Sequence, residues 1–221
     1  KVYLNKEHLQ SFVEDDSLGG HDPYSASKAC ADILSQSMYH SYFAQNTGVG
    51  LATVRAGNVI GGGDFAKDRL IPDVVRAIHS GKIVEVRNPN AIRPWQHVLD
   101  PINGYMILAK RIYEIPKKYS GAFNFGPETG VELTVGDVIK QIQSMAPVQV
   151  SLKESDSHEA QTLKLDSKLA NQLLSWKPEL NSYEAVNLTM RWYLDHMNGQ
   201  TALEACNNTF YAFINHSKSS H

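Results

Sequence analysis

Cysteine is scarce, with Cys30 and Cys206 the only two in 221 residues. They stand far apart and in no metal-ligand spacing, which excludes a disulfide-stapled scaffold and a thiolate metal centre. Charge of one sign is not in excess either. Lys and Arg number 21 against 23 Asp and Glu, for a net charge of −2. Without a basic stripe interleaved with aromatics there is no electrostatic footprint for nucleic acid. No apolar run approaches the roughly 18 to 20 residues that span a bilayer. The chain opens with neither Met nor a secretory leader, so a cytoplasmic, reducing compartment is expected and the triplets at Asn187, Asn207 and Asn215 read as chance glycosylation matches. Histidine is plentiful at nine, yet no HxxxH pair occurs and His158-Glu159 lacks a second histidine, so no metal site is expected. Neither GxGxxG nor a phosphate loop ending in GK[ST] is found, and no repeat or low-complexity segment.

What remains is an ordinary globular composition, 42% hydrophobic, long enough for one or two domains with a substantial core. Its most informative stretch is Tyr24-Ser25-Ala26-Ser27-Lys28. Asp22 suits an N-cap and Pro23 the first helical position, so Tyr24 falls in the first turn and Lys28 on the same face one turn later. A nearby ammonium favours the phenolate and makes a general base usable near neutral pH; it can also hold a cofactor hydroxyl. The bland alternative is an exposed Tyr and Lys on a helix. Cys30, Ile33, Leu34 and Met38 recur at helical spacing and predict a buried stripe over a helix running to about residue 45.

Residues 5–22 read as a loop. Leu51 to Arg55 predicts a short buried strand entering Gly57-Asn58-Val59-Ile60-Gly61-Gly62-Gly63, a helix-to-strand step that suggests an α/β layer architecture. Ligands in such folds bind beyond the carboxyl ends of strands, where these glycines would lie; a mobile Gly-rich turn is the competing reading. A helix over about 68–80, a strand over 83–86, a loop over 87–97 and a helix ending before Pro116 follow. A strand over 121–125, a helix capped by Thr134, and a strand over 148–152 come next. Residues 153–164 are irregular, with helices after them at 167–174 and 182–197. A further helix spans 202–214, with a disordered end. In the 87–97 segment Arg93 has the planar fork that suits phosphate, or a surface ion pair, and Trp95 can plug a core.

Taken together, Lys1-Val2-Tyr3, Gly19 to Lys28, Arg55-Ala56-Gly57-Asn58-Val59-Ile60-Gly61-Gly62-Gly63-Asp64, Asp68-Arg69-Leu70-Ile71-Pro72-Asp73 and Arg93-Pro94-Trp95-Gln96-His97-Val98 resemble the extended short-chain dehydrogenase/reductases acting on nucleotide sugars. The nearest branch is the CDP-glucose 4,6-dehydratases. The resemblance covers most of the chain and implies the carboxyl-terminal two-thirds of a Rossmann-like α/β fold with a smaller α/β substrate-binding lobe. It also implies NAD as cofactor, with most of the NAD loop outside these residues, so that the fragment alone is inactive. On this basis residues 1–60 are the remainder of the Rossmann domain. Residues 61–200 are mainly the nucleotide-sugar lobe with returns to the main sheet, and 201–221 a helical tail.

In the reaction the resemblance implies, the tyrosine takes the sugar 4-hydroxyl proton while the C4 hydride passes to NAD. The resulting ketone acidifies C5, water leaves from C6, and the hydride returns there. Tyr24 is then the base, Lys28 holds the nicotinamide ribose, and Gly57 lies beside the nicotinamide. Lys1 occupies the position of the C5 base, or only stabilises enolate charge. Asn58 and Arg93 take the phosphates, Arg69 and Leu70 line the nucleotide, Asn124 gives a polar contact, and His158 with Glu159 closes the nucleotide end. CDP-glucose is the expected substrate, in deoxysugar (O-antigen polysaccharide) biosynthesis, with a homo-oligomer (dimer or tetramer). Two alternatives stay open: a nucleotide-sugar 4-epimerase, against which Lys1 and the RPWQHV string weigh, and a non-catalytic chain serving assembly.

Overall fold

The computed structural model describes residues 2–5, 10–45, 48–128, 130, 132–153 and 164–219. They divide into two units, one drawn from Lys1–Gly57, Asp100–Pro127 and Thr162–Pro178, the other from Asn58–Leu99, Glu128–Gln161 and Glu179–His221. Both units are discontinuous in sequence, the first taking residues up to Gly57 and two later stretches.

In the first unit, α1 (Pro23–Met38) begins as its sequence predicts: the Asp22 carboxylate accepts from the Ser25 amide and Pro23 takes the first turn. Its predicted apolar stripe does not face inward. Cys30, Ile33, Leu34 and Met38 are exposed, and the buried residues are Ser25, Ala29 and Asp32. The reason is electrostatic, since Arg55 draws Asp32 inward through a 2.7 Å ion pair. The helix ends at Met38 and passes into a π-helical turn, Tyr39–Phe43, short of the expected residue 45. β1 (Ala52–Ala56) pairs in parallel with β6 (Gly121–Phe125), Arg55 opposite Asn124. Phe123 and Phe125 of β6 make the core with Leu108 of α3 (Leu99–Glu114), Ala170 and Leu174 of α6 (Lys168–Leu174), and Trp176. Gly104 is mid-helix in α3 because a Cβ there would overlap the Phe125 ring. A short α4 (Pro116–Tyr119) leads into β6.

The second unit contains β2 (Asn58–Ile60) parallel to β5 (Trp95–His97), β3 (Val84–Arg87) parallel to β8 (Val150–Lys153), and β4 (Ile92–Arg93) antiparallel to β7 (Leu133–Thr134). Residues 87–97 are thus largely strand rather than the expected loop, since distant partners satisfy their backbone groups. The core is built from Ile71, Val74 and Val75 of α2 (Leu70–Ser80), Val84 and Val86, and Val138, Ile139 and Ile142 of α5 (Val135–Met145). Val186, Met190, Trp192 and Tyr193 of α7 (Ser182–Met197) complete it. Capping boxes open α5 (Thr134 with Asp137) and α7 (Asn181 with Glu184). α8 (Ala202–Ser219) packs on α7, burying Phe213 beside Leu188. It runs past the expected end at Ile214, so the tail is helical where disorder was expected, and it belongs to this unit. No helix among the described residues is long and apolar enough to cross a membrane.

Candidate active site

Tyr24 and Lys28 come together on α1 as their spacing predicts. Lys28 Nζ lies 5.6 Å from the centre of the Tyr24 ring. Tyr24 is 59% exposed, and apart from each other neither side chain is engaged among the described residues. α1 packs on β1, and Gly57 directly follows the carboxyl end of that strand, the position where α/β folds take ligands.

Beneath α1 lies a buried polar network that sequence reasoning missed. Arg55 donates through Nε and Nη2 to the two Asp32 oxygens at 2.7 and 2.9 Å. Its Nη1 donates to the Tyr3 hydroxyl and the Glu14 carbonyl, both at 2.8 Å. Tyr3 in turn donates to Asn124 Oδ1 at 2.6 Å. Burial is the largest single influence on Asp32 and opposes its ionisation, but the hydrogen bonds from Arg55, Gln36 and Thr53 together with the Arg55 charge outweigh it and hold the carboxyl below its ordinary range. Burial raises both the Tyr3 phenol and the Glu14 carboxyl.

Asn124, expected to give substrate a polar contact, lies within this network. Asn124 is fully buried; its amide nitrogen donates to the Phe12 and Asp166 carbonyls, its oxygen accepts from Tyr3, and its backbone N–H donates to Glu14. Its side-chain amide is thus engaged inside the first unit. Lys1, His158 and Glu159 lie outside the described residues.

In the second unit, Asn58 opens β2 opposite Trp95. Arg69 sits at the N-cap of α2 with an exposed side chain paired to Asp64 at 2.7 Å, and Leu70 packs partly into the core. Arg93 lies in β4 opposite Leu133, its Nη1 donating to the Ile92 carbonyl at 3.0 Å. Trp95 is a core plug, donating to the Leu133 carbonyl at 3.2 Å. His97 is almost completely buried, and that burial pushes its imidazole down to about 4.

The glycine-rich loop is tied to α7 by close contacts. The Tyr193 hydroxyl donates to the Asp64 carbonyl at 2.7 Å and accepts from the Asp64 N–H at 3.1 Å, and Gly62 lies so close under Trp192 that a Cβ would overlap the indole. The close approach expected of a ligand is made there by a side chain of α7. Within the helix predicted over 182–197, neither Trp192 nor Tyr193 carried a sequence signal for this contact. A separate cleft of about 890 Å³, lined by Phe65, Arg76, Lys82, Glu85 and His196 among others, contains none of the expected substrate residues that are described.

The chain is 41% identical to CDP-glucose 4,6-dehydratase of Salmonella typhimurium over 210 residues, 92% of this chain and 58% of that protein. It is 25% identical to UDP-glucose 4-epimerase of Mycoplasma pneumoniae over 205 residues, 86% of this chain and 58% of that protein. The chain therefore spans little more than half the length of these relatives. Among solved structures, the fold is shared with dTDP-glucose 4,6-dehydratase of Bacillus anthracis in complex with NAD (TM-score 0.72, 20% identity, 89% of this chain and 59% of that one). It is shared also with UDP-glucose-4-epimerase of Stenotrophomonas maltophila with bound NAD (TM-score 0.75, 18% identity, 90% and 62%). Residues 2–126, which carry the Tyr24–Lys28 pair, β1 and the glycine-rich loop, match a family model, and the chain belongs to the NAD dependent epimerase/dehydratase family.

Proposed function

We propose that the protein is a CDP-glucose 4,6-dehydratase, a lyase converting CDP-glucose to CDP-4-dehydro-6-deoxyglucose and water. The observation that carries this reading is the 41% identity over 92% of the chain to an enzyme of that name. The geometry agrees with it: an exposed phenol and ammonium sit on one capped helix, packed on a parallel strand that ends at Gly57.

The donor set suits NAD, because Lys28 and Tyr24 are exposed and, among the described residues, not otherwise engaged, and Gly57 lets backbone approach a flat ring. When bound, NAD accepts a hydride and later returns it. Tyr24, as phenolate, takes the proton of the sugar 4-hydroxyl and becomes neutral, and Lys28 holds the nicotinamide ribose and steadies the phenolate before that transfer. Arg69 and Arg93, with Asn58, supply cations and an amide for the phosphates, and Leu70 lines the nucleotide. Lys1 as C5 base and His158 at the nucleotide end complete the reading from residues outside those described. The same reading places the protein in the cytoplasm, in deoxysugar biosynthesis for cell-surface polysaccharide. It includes a homo-oligomer (dimer or tetramer), supported by the outward apolar face of Ile33, Leu34 and Met38 on α1.

The test is mass spectrometry of CDP-glucose, and separately of dTDP-, UDP- and GDP-sugars, after incubation with the full-length protein and NAD. Loss of one water from CDP-glucose alone is the expected result. An unchanged mass with an inverted stereocentre would make the protein a 4-epimerase. No reaction with any sugar would leave the non-catalytic reading.

A further inference from the structure

α1 carries the reactive pair, yet its inward face is Ser25, Ala29 and Asp32, which offers little apolar surface to grip the sheet. Packing against a small, polar face tolerates sliding and rotation. A guanidinium fork does not, because two parallel hydrogen bonds to one carboxylate fix both translation and angle. Arg55 makes that fork to Asp32 while its Nη1 reaches Tyr3 and Glu14. Arg55 and Asn124 are opposite each other in the β1–β6 register, and the Tyr3 hydroxyl bridges them.

The entry to α1 is tied to the same segment. Leu4 N–H donates to the Ser17 carbonyl at 2.9 Å and Gly19 N–H to the Val2 carbonyl at 2.8 Å, with Tyr3 bridged antiparallel to Leu18. Asp22, three residues beyond Gly19, caps the helix. Tyr24 and Lys28 thus lie between two anchors, the N-cap at residue 22 and the ion pair at residue 32, and both anchors lead back to Tyr3.

We propose that Tyr3, Arg55 and Asp32 are positioning residues for the reaction: through one hydrogen-bonded chain they set the place and rotation of α1 on β1. They thereby hold the Tyr24 phenol and Lys28 ammonium relative to Gly57 at the end of the strand that carries Arg55. This rests on the assignment of Tyr24 as the base. None of the three touches the reacting atoms.

Tyr3→Phe removes the hydroxyl that ties Arg55 to Asn124, so the fork to Asp32 loses that hold on β6, and the variant is the mildest cut through the chain. In the full-length enzyme, kcat is expected to fall about tenfold or more, as a small misplacement of a reacting group does. KM for CDP-glucose stays within about twofold, and the isotope effect with C4-deuterated substrate rises. A merely structural loss lowers kcat in step with the folded fraction and leaves the isotope effect alone. A second readout needs no turnover: α1 amides in Tyr3→Phe exchange hydrogen about tenfold faster while those of α7 do not change. Wild-type kcat and isotope effect in Tyr3→Phe, or α1 exchange unaltered, would overturn the proposal. If the wild type turns over no nucleotide sugar, the functional reading falls, and the exchange experiment alone decides whether the network anchors α1.

Discussion

Replacing Tyr193 by Phe tests whether the glycine-rich loop is clamped from α7. The hydroxyl has one proton, and of its two candidate acceptors the Asp64 carbonyl at 2.7 Å is better placed than the Gly61 carbonyl at 3.3 Å. It also accepts from the Asp64 N–H at 3.1 Å, so the substitution removes two hydrogen bonds around one peptide. Each is worth about 0.5–1.5 kcal/mol net, giving about 2 kcal/mol for the pair. The ring itself stays packed edge-on against Phe65 and Trp192, so no cavity larger than the hydroxyl opens. In a chain of this size each kcal/mol moves the melting temperature by about 2–4 °C, and Tm should therefore fall by roughly 4–8 °C in thermal unfolding followed by circular dichroism. Because Asp64 also holds Arg69, KM for the nucleotide sugar should rise in the same variant. A Tm within about 1 °C of the parent would refute the clamp, since two part-buried hydrogen bonds cannot be lost so cheaply. Burial pushes the Tyr193 phenol from 10.0 up to about 12. Its contribution to stability is therefore complete below the unfolded value and is lost as pH rises from about 10 through about 12.

Acid should unfold the protein through His97, whose imidazole drops from 6.5 to about 4 on burial. The unfolded chain binds that proton first, so stability falls as pH drops from about 6.5 to 4, by about 3 kcal/mol at the low end, and His97→Gln should flatten a urea titration over that range. Gly62→Ala forces a methyl into the Trp192 indole and should cost about 1–3 kcal/mol by the same titration; a neutral result would mean the loop is free to move aside. Tyr24→Phe in the full-length protein should lower kcat by about 100-fold or more while leaving Tm unchanged, because the phenol is exposed and makes no contact on which folding depends. Retained turnover there would remove the proposed base.

Local chemistry was enough for the elements whose signals lie within one or two turns of chain. Asp22 and Pro23 opened α1, Thr134 capped α5, the 182–197 helix matched its periodicity, and Gly121 to Phe125 formed the expected strand. The Tyr24–Lys28 pair was legible for the same reason, since i and i+4 share a helical face wherever the helix sits. The family, too, was carried by short strings of residues.

Tertiary structure alone decided which face of α1 turns inward. Periodicity chose Ile33, Leu34 and Met38, but a buried guanidinium 23 residues downstream chose Asp32. It decided the use of Asn124, because Tyr3, 121 residues away, completes its hydrogen bonds. Residues 87–97 became strands only because β8, β7 and β2 supply their partners. The glycine-rich loop was tied by Tyr193, 129 residues from Asp64. A window of ten or fifteen residues carries helical period and caps, whereas hydrogen-bond partners separated by more than a hundred residues meet only once the chain has folded.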